Sequence, residues 1–181
     1  MPVKASKRIV VDASIARAAG GEGATFPRSK TCRDFLRPFL NSTHHVVMTD
    51  EIEEEWNKHQ SGFAHTWRKA MVSRRRLETI EIIVDDHLRR RIEGTATTAN
   101  HRKAIRKDLR LIEASLATDK TITSLDEEVR MLFQAAASVV SELRRIVWVN
   151  PDQAAEEWRR WLEGGAKPER KRLLGYGAKA S

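Results

Sequence analysis

A single cysteine, Cys32, in 181 residues excludes an internal disulfide and a cysteine-rich zinc site. The opening "MPVKASKR" lacks the apolar stretch of a secretory signal, and no apolar run anywhere approaches bilayer-spanning length. Neither a G-x-G-x-x-G nor a Walker pattern is present. The glycines of "GGEG" come eight or more residues past the first strand-like run, which argues against a nucleotide-binding doubly wound protein. Internal repeats and low-complexity stretches are also missing. These absences predict one cytoplasmic domain with no membrane association.

Charge is present and unevenly placed. The net charge is +8, and between Ser61 and Leu111 there are 13 Lys/Arg against 6 Asp/Glu. From Gly164 to Ser181 there are 5 against 1, so the remainder of the chain is acidic. Taken alone, a run such as "SRRRLE" or "HLRRRIEG" is a solvated helix face. The division as a whole suits a protein that grips a polyanion with one set of residues and holds cations with another.

Short β-branched or apolar runs alternate with longer helical patterns. Residues 8–11, "HHVVMT", "TITS" and "IVWVN" read as strands, and "ETIEIIV" as a further short one. Helices are expected from Ser29 onward with a break at Pro38, over "DEIEEEWNKH", over "NHRKAIRKDLRLIEASLATD" and after "TITS", with a last helix at Trp158 and Trp161. The stripe Ile105, Leu109, Ile112 and Leu116 makes the third of these the clearest. Strands separated by helices need crossover connections, so the fold class is α/β: three layers, with a mainly parallel central sheet.

In an open parallel sheet the functional crevice lies at the carboxyl ends of the strands. "RIVVDAS" and "TITSLDEE" each place an aspartate there, Asp12 and Asp126. A glutamate from Glu53 to Glu55 and Asp108 on the long helix can reach the same place. Carboxylates held together repel, so such a set is sustained by cations or by shifted proton affinities. All-oxygen ligands suit Mg²⁺ or Mn²⁺, which can drive in-line displacement at a phosphodiester.

In this order, "IVVDAS", "VVMTDEIEEEW", "RKDLRLIEASLAT" and "TITSLDEE" resemble the PIN domain nucleases over roughly residues 7–150. The resemblance implies a metal-dependent endoribonuclease that hydrolyses RNA phosphodiester bonds. Its catalytic positions would be Asp12, Glu55, Asp108 and Asp126, and its Mg²⁺ or Mn²⁺ ligands Asp12, Asp108 and Asp126. Ser14 and Ser124 would be supporting hydroxyls, with Glu54 a rival to Glu55. It further implies RNA as partner, an antitoxin or other protein partner if the chain is the toxin of a toxin–antitoxin pair, and a homodimer. Residues 1–150 form the PIN-like domain in this scheme, 61–100 a helical insertion departing from the family's shorter pattern, and 151–181 a C-terminal helix and basic tail. Arg102, Lys103, Arg106 and Lys107 are candidate nucleic-acid contacts, with Arg74, Arg75 and Arg76 extending the path. The alternative function is a PIN-like module that holds RNA without cutting it or is regulated by a partner.

Each feature also has a plainer explanation. Asp126 suits a helix N-cap, Asp108 an exposed ion pair with Arg102 or Lys103, and Trp158 and Trp161 the packing of an amphipathic helix rather than base stacking. His44 and His45, adjacent on a strand, point to opposite faces and make a poor ligand pair. Asp12 is the hardest to explain plainly, since a charge following a buried strand is costly unless satisfied.

Overall fold

The computed structural model describes residues 5–177; residues 1–4 and 178–181, the latter ending the basic tail, lie outside the described residues. Five strands, β1 (Arg8–Val11), β2 (His45–Met48), β3 (Leu77–Thr79), β4 (Thr121–Thr123) and β5 (Val147–Val149), form one sheet in the order β3-β2-β1-β4-β5. Every pairing is parallel.

The helices are α1 (Ala13–Ala18), α2 (Pro27–Leu36), α3 (Asp50–His59), α4 (Gly62–Ser73), α5 (Asp86–Glu93), α6 (Ala99–Leu116), α7 (Glu127–Ala137), α8 (Trp158–Glu163) and the short α9 (Leu174–Gly177). The chain steps one way from β1 to β3 and then returns across the sheet to β4 and β5. Right-handed crossovers therefore place α1 to α4 on one face and α5 to α7 on the other. None of the described helices is long and apolar enough to cross a membrane.

β1, the central strand, has Ile9, Val10 and Val11 fully buried, as expected of a strand covered on both faces. Local chemistry sets where helices begin: Thr49, Ser61, Asp85, Thr98 and Asp126 each accept a backbone N–H of the first helical turn. Pro38 lies in a 3₁₀ turn, Arg37–Asn41, directly after α2, where its missing N–H costs nothing.

The segment predicted as a helical insertion, 61–100, also carries sheet structure. β3 lies within it, slightly upstream of the run "ETIEIIV", because its partner β2 ends at Met48 where Thr49 starts a helix. Only the Ile80 N–H continues the ladder, donating to the Met48 carbonyl at 2.9 Å, and Ile83 is left 97% exposed.

The predicted C-terminal tail is likewise built into the fold through residue 177. Trp158 packs edge-on to Phe35 with ring centroids 5.3 Å apart, and the Trp161 indole donates to the Lys167 carbonyl at 2.9 Å. Both tryptophans therefore pack rather than offer stacking platforms. His44 Nε2 bonds the Leu162 carbonyl at 3.0 Å while its Nδ1 accepts from the Lys7 N–H at 3.1 Å, which occupies both ring nitrogens. The "GGEG" loop is tied from beneath by the buried Arg33 guanidinium, which donates to the carbonyls of Ala19, Gly21 and Ala24. Carbonyls facing a cation are the reverse of a phosphate cradle.

Arg172 belongs by sequence to the basic tail, yet it is 1% exposed. It meets the buried Glu156 and the Glu169 carboxylate and lies over the Trp161 ring, while Arg130 of α7 reaches Glu156 from the other side at 2.8 Å. Replacing Arg172 by Met leaves Glu156 short of one buried counter-charge. Urea unfolding of Arg172→Met is expected to show a loss of about 3 kcal/mol, whereas Lys171→Met, at an exposed neighbour, should be nearly neutral.

Candidate active site at the carboxyl ends of the strands

β1 hands the chain to Asp12, whose N–H donates to the Thr123 carbonyl at 2.9 Å and so fixes it between the ends of β1 and β4. Asp12 occupies the N-cap position of α1 but its side chain caps nothing. Its Oδ2 accepts instead from the Ser124 hydroxyl at 2.9 Å, and the residue is 7% exposed. Ser124 Oγ also accepts the Asp126 N–H at 3.2 Å. Because the Ser124 proton is given to Asp12, Ser14 is the donor in the 3.4 Å contact between the two serines, while Ser14 Oγ itself accepts from the Leu125 N–H. Both hydroxyls expected to support the acids thus lie directly behind them.

Asp126 ends the β4 connection as the N-cap of α7, its Oδ1 accepting the Val129 N–H at 2.9 Å. Capping uses one oxygen and leaves the other. Asp108 sits mid-way along α6 and is 6% exposed, so it is not the surface carboxylate of the plain reading. Its partner is neither Arg102 nor Lys103 but Arg110, whose Nη2 lies 3.1 Å from Asp108 Oδ1. Burial, with Asp12 nearby and Asp126 adding less, pushes the Asp108 carboxyl up to about 6 against the opposing pull of Arg110 and Lys107.

Among Glu53, Glu54 and Glu55 the geometry discriminates. Glu53 turns to Arg68, and Glu54 is an exposed partner of Lys58 at 2.9 Å. Glu55 turns inward. Asp12, Glu55, Asp108 and Asp126 line a single pocket of about 120 Å³, together with Ser14, Arg17, His59, Lys107 and Arg110. A wider cleft of about 820 Å³ lies beyond the end of β5, near Asp152, Trp158 and Glu163, but it gathers none of these acids.

The basic residues are divided. Lys107 lines the acid pocket, while the exposed Arg102 and Lys103 stand on the earlier turns of α6 that lead away from it. Arg106 is engaged with Glu93 of α5 at 2.7 Å. Arg74, Arg75 and Arg76 do not extend the path: they precede β3 and so lie at the amino end of the sheet, opposite the crevice. Sequence reasoning missed Arg17 and Arg110. Their only signals were positions, Arg17 one helical turn after Ser14 and Arg110 one turn after Lys107. His59 lies 3.6 Å from Glu55 and completes the rim.

Among the described residues no three His, Cys, Asp or Glu side chains converge tightly enough to chelate an ion as they stand. The donor chemistry nonetheless fits a hard divalent cation. Asp12, Asp108 and Asp126 each commit one oxygen to the protein and show no hydrogen bond from the other among the described residues, and the set contains no sulfur. Compared with protein-family models, curated proteins and solved structures, the chain matches none.

The raised proton affinity of Asp108 fixes the sign of a pH effect. The folded chain binds this proton more tightly than the unfolded one, whose carboxyl titrates near 3.8. The charged form therefore destabilises the fold above about pH 6, and the penalty fades as pH falls toward 4. Without divalent ions, Asp108→Asn should be the more stable chain at pH 8 by about 2 kcal/mol, with the stranded Arg110 offsetting part of the gain. Parallel thermal melts from pH 8 to pH 4 should show that advantage disappear.

Proposed function

We propose that this chain is a Mg²⁺- or Mn²⁺-dependent endoribonuclease of the PIN type. The observation that carries the reading is the convergence of Asp12, Glu55, Asp108 and Asp126, chosen from four separate stretches of sequence, on one pocket where a parallel sheet opens its crevice.

Asp12, Asp108 and Asp126 would hold the cation, with Ser124 keeping Asp12 aimed and the α7 N-terminus steadying Asp126. A divalent ion so held supplies Lewis-acid charge to the phosphodiester and lowers the cost of deprotonating water. Glu55, a quarter exposed at the pocket rim, orients the attacking water and takes its proton. Lys107 and Arg17 carry positive charge to the same rim and draw the RNA backbone toward it. RNA as substrate rests on the family resemblance, which also suggests a homodimer and an antitoxin or other restraining protein.

The Arg110–Asp108 pair supports a second reading, a module of the same fold that holds RNA without cutting it, because a guanidinium already neutralises one of the acids. Cleavage of a mixed-sequence RNA with Mn²⁺ or Mg²⁺ separates the two. Under the first reading, Asp12→Asn and Asp126→Asn each lose at least about a hundredfold in rate with RNA binding retained. Glu54→Gln leaves the rate near wild type and Glu55→Gln does not. Binding without cleavage in every chain, wild type included, would favour the second.

A further inference from the structure

The position of Arg110 carries a further step, which rests on the metal-site reading above. Its side chain is 10% exposed and its Nε is buried without a hydrogen-bond partner, while Nη1 is turned back onto the Lys107 carbonyl of its own helix. Only the Nη2 contact with Asp108 is an ion pair. Asp12 and Asp126, its neighbours in the pocket, have no ion pair among the described residues. One guanidinium thus makes the one ion pair that the three crowded aspartates have among the described residues, and its own donors are incompletely used.

Among the described residues Arg110 is also the one that lines both the acid pocket and the cleft beside it. That cleft, of about 320 Å³ at the ends of β2 and β3, is lined by Glu51, Glu81 and Glu113, the last held by Arg89 through two bonds of 2.6 and 2.7 Å. A long side chain rooted between two acidic sites can neutralise either.

We propose that Arg110 is a resident counter-ion that competes with the divalent cation for Asp108, and that ion binding sends its guanidinium across to the carboxylates of the neighbouring cleft. The competition explains why the aspartates share a pocket without forming a chelate: one corner is held by a guanidinium. A divalent ion must displace that charge before Asp108 can join Asp12 and Asp126. The exchange helps keep the metal-free protein folded, since three close carboxylates would otherwise be left with no ion-paired partner and only Lys107 and Arg17 on the pocket lining to offset them. It also weakens the ion's hold.

The test is calorimetric titration of the full chain with Mn²⁺, alongside thermal melts with and without the ion. Arg110→Met should bind Mn²⁺ about tenfold more tightly than wild type and melt lower without it, with Mn²⁺ closing the gap. Arg110→Lys, which keeps a charge, should stay near wild type in affinity. If Arg110→Met is unfolded without the ion, recovery of its folded signal on adding Mn²⁺ is the expected result, and failure to recover overturns the proposal. So does a Met variant that binds no tighter than wild type, or a Lys variant that binds as tightly as Met. In those cases loss of Mn²⁺ binding in Asp12→Asn would show that the metal-site reading itself survives. No Mn²⁺ binding by wild type or by Arg110→Met would overturn both.

Discussion

Crowding of negative charge at the ends of β1 and β4 is the constraint to which the surrounding structure answers. Parallel pairing brings Asp12 beside Ser124, and α6 packs against both strands, so Asp108 is delivered to the same place. Nothing in an apolar core neutralises such a group, and the chain supplies three different remedies. The Ser124 hydroxyl, with Ser14 behind it, solvates Asp12; a helix N-terminus receives Asp126; and a guanidinium receives Asp108. Removal of the crowding would make all three unnecessary, and each remedy uses only part of the carboxylate it serves.

The same concern with buried charge recurs at the far edge of the sheet. Glu156 lies between Arg130 and Arg172, and Arg130 also approaches Glu127 in the first turn of α7. Asn150, just past β5, donates to both the Leu125 carbonyl and Glu127. The turn that presents Asp126 is therefore braced on one side by serines and on the other by a polar network that includes the C-terminal segment. Residues beyond 150 are part of the support for the acid pocket.

Four of the five strands were legible because apolar and β-branched runs bounded by turns have few alternatives in so short a chain, and the acids were legible because each followed such a run or lay on a marked helix. β3 was displaced from its expected run because its length is set by the end of β2, a property of the partner strand. The pairing of Arg110 with Asp108 was not legible: a residue two positions from Asp108 on a helix does not face it by periodicity, and only a long side chain turned back along the helix makes the contact. The burial of Arg172 was hidden for another reason. Composition reads charge as exposure, and the buried acid that receives this arginine lies 16 residues away in sequence. Arg74 to Arg76 show the converse error, since a basic run says nothing about which end of a strand it will occupy.

β1 is the centre of the sheet, yet its two neighbours in the sheet are made from widely separated stretches, β2 beginning at residue 45 and β4 at residue 121. During synthesis the first strand must wait for more than a hundred further residues before its second edge is covered, and loop closure of that length slows folding. Until β4 and the turn after it have left the ribosome, Asp12 has no Ser124 beside it and Asp126 does not exist. A polypeptide released early from translation, however much of the basic surface it carries, has no assembled acid pocket; the pocket is withheld until synthesis is well past the midpoint.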